Sequence, residues 1–300
     1  MRMFMSIKEI VETSQQTNKS LSQLMLEQEV EVSGKTEEEV LEGMRQNLVT
    51  MEKAVARSIT GDGVHSPTGL TGGDALKMQR YRQKGNTLSD DKMLKAVQNA
   101  LGTNEVNAAM GVICATPTAG ASGTIPGVLF SVADTLKLDE DAKIRFLLTS
   151  ALFGMIVANN AMIAGAVGGC QAEVGSASAM AAAAAVEAAG GTPEQSAHAF
   201  STALGNLLGL VCDPVAGLVE VPCVKRNAIG AGNALIAADM ALAGIENIIP
   251  ADETIEAMRK IGKQMPRELR ETGLGGTAGT PTGVALKMRI FGQDVSLEEQ

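Results

Sequence analysis

The sequence contains no tryptophan, one tyrosine and six phenylalanines, so its 45% apolar share is carried by Ala, Leu, Val, Ile and 16 methionines. Such an aliphatic composition, poor in aromatics, favours close-packed helices over aromatic-rich sheets. Runs of alternating β-branched residues are missing too, and the predicted fold is all-α, with Gly/Pro-rich loops around a central buried helix. Histidine is nearly absent: with only His65 and His198, a histidine-rich metal site is excluded. His198 sits in a helical stretch and reads as structural, whereas His65 lies in a glycine-rich loop beside Ser66 and is a candidate for proton transfer. The chain has no GxxxxGK followed by Ser or Thr, no GxSxG and no HExxH, which removes the P-loop, the nucleophile elbow and the zincin site. Basic residues are outnumbered 25 to 34, and the net charge of −9 argues against a nucleic-acid partner. No apolar stretch of signal-peptide length precedes Lys8 and Glu9, so a cytoplasmic location with reduced thiols is expected.

Glycine, in contrast, is abundant and unevenly placed. GDGVHSPTGLTGGDA carries five glycines between positions 61 and 73, and GVICATPTAGASGTIPG from 111 and ETGLGGTAGTPTG from 271 to 283 are similar. Each of these three predicted loops contains a Pro-Thr step, at Pro67-Thr68, Pro117-Thr118 and Pro281-Thr282. Their spacing follows no fixed period, so they are not a structural repeat. Such loops either expose backbone N–H groups and hydroxyls to a small anion or simply turn the chain between packed helices. The first of them separates a predicted N-terminal helical segment, residues 1–60, from a larger helical domain, residues 61–300.

Helix starts are marked clearly. Thr36 precedes three glutamates, Ser89-Asp90-Asp91 opens another helix, and Thr192-Pro193-Glu194-Gln195 has the form of a capping box with proline at the first helical position. Between Arg145 and Glu173 lie 27 uncharged residues, enough in length to cross a bilayer. Asn159 and Asn160 near the middle, four glycines and the lack of Trp or Tyr at either end argue for a buried central helix and against a membrane span.

Four cysteines remain. Cys170 follows Gly168-Gly169, and Cys212 and Cys223 bracket DPVAGLVEVP, while Cys114 sits in the apolar run GVICA. Glycine and proline beside a cysteine hold the backbone out of helix and can aim sulfur at a common centre, as an iron–sulfur cluster requires. No CxxC is present, so spacing alone leaves cluster ligation and scattered buried thiols both open. For Cys114 the surroundings favour a buried thiol.

The runs ATPTAGASGTIPGVL, GGCQAEVGSASAMAAAA, GGTPEQ and CDPVAGLVEVPCVKRNAIGA, in that order and within about residues 100–280, closely resemble the α chain of iron–sulfur-dependent L-serine dehydratase, or L-serine ammonia-lyase. The resemblance implies that Cys170, Cys212 and Cys223 ligate a 4Fe–4S cluster, that one iron stays open as a Lewis acid, and that L-serine loses water to give pyruvate and ammonia without pyridoxal phosphate. Beyond the ligands, Thr68, Thr118, Gly120, Ser122 and Asn160 are candidates for substrate contact, His65 is a candidate for proton transfer, and Arg226 is a candidate partner for the substrate carboxylate through its planar fork. The run before Cys170 departs from the family pattern, with Met162, Ala164 and Val167 where relatives carry serines and a glutamate, so no acid–base role is expected there. The chain ends VSLEEQ without a cysteine after Cys223, unlike single-chain relatives, and a separate β subunit in a hetero-oligomer is expected. Two readings compete with the serine lyase: an aconitase-like hydro-lyase acting on threonine or another small hydroxy acid, and a non-catalytic iron–sulfur sensor or scaffold.

Overall fold

The computed structural model describes residues 3–292. Among the described residues there are thirteen α-helices and no sheet. They are α1 (Ile7–Thr17), α2 (Leu21–Ser33), α3 (Glu37–Ser58), α4 (Asp74–Gln83), α5 (Asp91–Ala108), α6 (Thr124–Leu136) and α7 (Glu140–Asn160). After these come α8 (Gly165–Gly168), α9 (Ser176–Ala188), α10 (Pro193–Gly205), α11 (Cys223–Leu242), α12 (Ala251–Gln264) and α13 (Pro281–Phe291). The expected local caps are present: Thr36 and Thr192 each close a capping box with Glu39 and Gln195, and Asp90 Oδ1 accepts from Met93 N. No helix among the described residues is long and apolar enough to cross a membrane.

The 27 uncharged residues do not form one helix. α7 stops at Asn160, α8 is a single turn, and Gly169 has φ of +78°, where any Cβ would come within 2.9 Å of Leu210 O. The chain then restarts through Cys170 and a π-turn, Gln171–Gly175, before α9. Composition indicates burial for this stretch, but the glycines break it where the backbone must turn inward. The central place belongs to α9, in which every residue from Ser176 to Val186 is buried. Its alanines let α6, α7, α10 and α11 approach closely, and Ser178 Oγ crosses to α11 by donating to Gly230 O at 2.7 Å. Residues of the first three helices, such as Ile10, Leu24 and Leu48, share this core with Phe153 and Phe200, whose rings stack at 5.3 Å.

Several helix N-termini are capped from a distance. Asp252 accepts from Ile7 N and Lys8 N at the start of α1, and Glu187 accepts from Leu21 N, Ser22 N and Thr149 Oγ1 at the start of α2. Glu105 of α5 accepts from Asp74 N at 2.6 Å and Ala75 N at 3.3 Å at the start of α4. α6 starts at the close crossing of α5, where a Cβ on Gly123 would lie 2.2 Å from Ala100 O, and its cap is Asn227 of α11. Each acceptor thus satisfies N–H groups that the helix itself leaves free, and ties together two elements.

Burial pushes the Glu105 carboxyl from 4.5 up to about 7, against the pull of the Asp74 and Ala75 N–H groups. Because the folded value lies above the unfolded one, the stabilisation is complete below pH 4.5 and is lost as pH rises through 7. Glu105→Gln keeps the acceptor and removes the titration. Relative to this variant, the native protein is expected to lose stability between about pH 5 and 7 and stay level above, as read from urea midpoints across that range. A difference that does not vary with pH would remove Glu105 as the cause.

Candidate active site

Cys170 is placed by the turn that ends the broken apolar stretch. Gln171 pins this turn: its Nε2 donates to Gly168 O at 2.9 Å and Met258 O at 3.1 Å, its Oε1 accepts from Gly209 N at 2.9 Å, and its backbone N–H donates to Leu210 O. The π-turn carries Glu173 round to the same side, where Thr118 Oγ1 donates to its Oε1 at 2.7 Å. Cys212 lies on the connection from α10 to α11 and pairs with the third glycine loop, its N–H donating to Leu269 O and its C=O accepting from Glu271 N. Cys223 opens α11, at the positive end of the helix dipole.

All three thiols are buried. Cys170 and Cys212 pack with Ala121, Val174 and Ala177, and each of the three is at least 93% buried. Burial pushes Cys170 up to about 11, with Arg226 pulling it back and Glu173 adding to the rise. Cys212 and Cys223 are raised further, first by burial and then by the charges of Cys170 and Glu173. Burial on this scale keeps the thiols protonated unless a cation takes the place of the protons. The Arg226 guanidinium is held by Asp213, whose Oδ1 is 2.7 Å from Nη2 in an ion pair without the alignment of a directed hydrogen bond. Its Nη1 donates to Val211 O at 2.7 Å. No three His, Cys, Asp or Glu side chains among the described residues gather as ligands to a single metal ion.

Each glycine loop is hung from a carboxylate that is close in sequence to one of these cysteines. Thr68 and Thr71 of the first loop donate to Glu220, three residues before Cys223, at 2.8 and 2.9 Å. Thr118 of the second donates to Glu173, three residues after Cys170. Thr277 of the third donates through N and Oγ1 to Asp213 Oδ2, at 2.6 and 2.8 Å, beside Cys212. Of the Pro-Thr steps, the first two supply the anchoring hydroxyl, whereas in the third loop Thr277 does so and Pro281 and Thr282 open α13. Three separate loops are therefore held through one chemical device, a threonine hydroxyl on a buried carboxylate within three residues of a cysteine.

Four ordered motifs sit on this geometry, and a family model described as the serine dehydratase alpha chain matches residues 16–278. The chain belongs to the serine dehydratase alpha-chain family. It is 60% identical to the probable L-serine dehydratase alpha chain of Bacillus subtilis, over 97% of this chain and 96% of that one. It is 43% identical to the L-serine dehydratase alpha chain of Peptoniphilus asaccharolyticus, over 95% and 97%. With L-serine dehydratase 1 of Escherichia coli the identity is 36%, over 92% of this chain but 61% of that protein.

Within this alpha-chain fold, the structure brings Cys170, Cys212, Cys223, Arg226 and Thr118 together. Gly120 borders the same group, for a Cβ there would stand 3.3 Å from the Glu173 carboxylate, and its C=O accepts from Asn227 Nδ2. Ser122 lies behind, fully buried against Asn104 Nδ2 at 3.4 Å. Thr68 is engaged by Glu220, and His65 is exposed on the same loop with Nε2 3.1 Å from Asp62 O. Asn160 does not join the group: it caps the exposed end of α7 and donates to Met5 O and Ile156 O. Cys114 lies elsewhere, half-buried, with its thiol on Asn47 O. His198 accepts from Asn247 N at 3.1 Å, a structural contact. Sequence reasoning passed over Glu173, Asp213, Glu220 and Asn227. A signal existed, since each of the three converging cysteines has an acidic residue within three positions and Cys114 has none.

Proposed function

We propose that this chain is the catalytic α chain of an L-serine dehydratase, a lyase converting L-serine to pyruvate and ammonia, and that Cys170, Cys212 and Cys223 hold a 4Fe–4S cluster. The observation that carries the reading is a set of three buried thiols, Cys170 and Cys212 in one packed cluster and Cys223 at the start of α11, each within three residues of a carboxylate that latches a loop. The donor set fits: soft thiolates suit iron–sulfur clusters. Cys170, Cys212 and Cys223 would hold such a cluster through separate irons, so the lack of a three-ligand group for a single ion among the described residues would not count against it. When bound, such a cluster with three protein thiolates supplies an iron with an open position, a Lewis acid for a hydroxyl and carboxylate.

The chain's own residues do the positioning. Arg226, already paired with Asp213 and Val211 O, brings a fixed positive charge to Cys170 and balances part of the thiolate charge. This geometry favours an electrostatic role for Arg226 over a free fork for the substrate carboxylate. Glu173, whose proton is favoured by burial, is the carboxyl group positioned to hold a proton beside the thiols, with Thr118 orienting it. His65 is the candidate base on the first loop, where the Thr68 and Thr71 contacts to Glu220 set its approach. Loss of the α-proton and β-hydroxyl gives aminoacrylate, which tautomerises to an imine and takes up water, releasing ammonia and pyruvate.

A separate β chain completes the enzyme. Supporting this, the match to the Escherichia coli protein leaves over a third of that protein uncovered, while the proteins named alpha chain are covered almost fully. Met110 and Val112, 86% and 77% exposed on the approach to the second loop, are suited to a partner's surface. The test is anaerobic reconstitution with iron and sulfide, with and without the β chain, followed by spectroscopy and a pyruvate assay on serine and threonine. Cluster absorption with turnover of serine only when both chains are present is expected. Failure to assemble a cluster would remove the ligand assignment, and full turnover by the α chain alone would remove the β chain from the site.

A further inference from the structure

We infer that Glu271, on the third glycine loop, receives the α-ammonium group of L-serine and so selects amino acids over hydroxy acids, a role that rests on the serine lyase reading proposed above.

The backbone of Glu271 places it beside Cys212. Its N–H donates to Cys212 O at 2.7 Å, and Leu269 O accepts from Cys212 N, so the loop runs alongside the cysteine. Glu173 stands at the sulfur of the same residue: a Cβ on Gly165 would strike both Glu173 Oε2, at 2.6 Å, and Cys212 Sγ, at 2.9 Å. Glu271 is half-buried and has φ of +63°, a left-handed conformation that favours glycine. The other left-handed positions of this loop, Gly273 and Gly276, are glycine, whereas position 271 keeps a carboxylate.

Three of the four carboxylates around the cysteines are already engaged. Glu173 accepts from Thr118, Glu220 from Thr68 and Thr71, and Asp213 from Thr277 while pairing with Arg226. The fourth, Glu271, takes part in no hydrogen bond or ion pair among the described residues. Its charge still reaches across the site. Burial raises Glu173, Cys212 and Cys223, and Glu271 adds to each rise. A cation seated against Glu271 relieves this repulsion, and the nearby guanidinium is committed elsewhere, with Arg226 Nη1 and Nη2 held by Val211 O and Asp213. Of the groups on serine only the ammonium is positive, and its N–H donors match a carboxylate.

The reconstituted complex of α and β chains is the sample for two probes. L-Alanine keeps the ammonium and carboxylate but has no hydroxyl to lose, and 3-hydroxypropionate keeps the hydroxyl and carboxylate but lacks the ammonium. Ligand-observed NMR measures the affinity of each without turnover. Glu271→Gln should weaken L-alanine about ten- to hundredfold, the loss of a charged hydrogen bond, and leave 3-hydroxypropionate unchanged or tighter. Glu271→Asp keeps the charge and tolerates the left-handed backbone, so it should restore part of the alanine affinity. Iron, sulfide and visible absorption should match the native complex in both variants, and Glu271→Gln should raise KM for serine by a factor like that for alanine. No alanine binding to the native complex, equal weakening of the two probes, or an alanine affinity unchanged by Glu271→Gln overturns the assignment. Cluster loss in Glu271→Gln overturns it in favour of a structural role. Failure of the lyase reading shows separately, as absence of pyruvate from serine in the native complex, on which the probe affinities do not depend.

Discussion

Cys212→Ser is expected to abolish the visible absorption of the reconstituted protein and to lower pyruvate formation more than about a hundredfold, a larger loss than removal of an outer partner brings. The residue is 2% exposed and packs in one cluster with Cys170, and burial above all keeps its thiol protonated. Iron must displace those protons, because the thiolate is the ligand. A serine hydroxyl in this position is both a far weaker acid and a harder donor, so it cannot take the place of the sulfur. The fold should be little changed, since the backbone of Cys212 keeps its pairs with Leu269 and Glu271. Cys114→Ser, outside the group, is the control and should retain iron, sulfide and absorption. Iron and sulfide analysis with electron paramagnetic resonance on both variants decides the point. A full cluster in Cys212→Ser, or its loss in Cys114→Ser, would overturn the ligand assignment.

The second large effect falls on a residue that touches no candidate ligand sulfur. Asn227→Ala is expected to destabilise the protein by about 3–5 kcal/mol, because several buried groups lose their partner at once, each costing about 1–3 kcal/mol. Asn227 Oδ1 accepts from Gly123 N, Thr124 N and Thr124 Oγ1, and its Nδ2 donates to Gly120 O at 2.7 Å and Cys223 O at 3.0 Å. It is the cap of α6 and the brace between the second glycine loop and the turn of α11 that carries Cys223. Asn227→Asp keeps the acceptor but sets a buried charge against two carbonyls, so it should fail as a rescue. Urea midpoints measure the loss, and cluster stoichiometry in the surviving folded fraction measures the brace. A change below about 1 kcal/mol would remove the capping role.

These two residues mark how far the sequence can be read. Cys212 was legible, because proline and glycine beside a cysteine are uncommon and four motifs in order point to one family. Asn227 was not: its partners lie 103 and 104 positions away, and nothing in RNAIGA announces that an amide there closes another helix. The same division runs through the helix caps. Thr36, Asp90 and Thr192 were found because their acceptors lie three residues from the donors they satisfy. Glu187 and Asp252 cap helices 166 and 245 positions away. The uncharged stretch before Glu173 was read as one helix because composition reports burial, whereas its break at Asn160 and Gly169 depends on where α10 and α12 stand.

By itself, the sequence determined an all-helical chain, the positions of its glycine loops, its locally capped helices and the family to which it belongs, since propensity, capping and motif are properties of neighbouring residues. Only the tertiary structure decided that α9 is the central helix, that Glu173, Asp213 and Glu220 each hold a loop beside a cysteine, and that Asn160 lies apart. Those arrangements rest on hydrogen bonds between residues far apart along the chain, and a buried acceptor takes whichever donor the packing brings within reach.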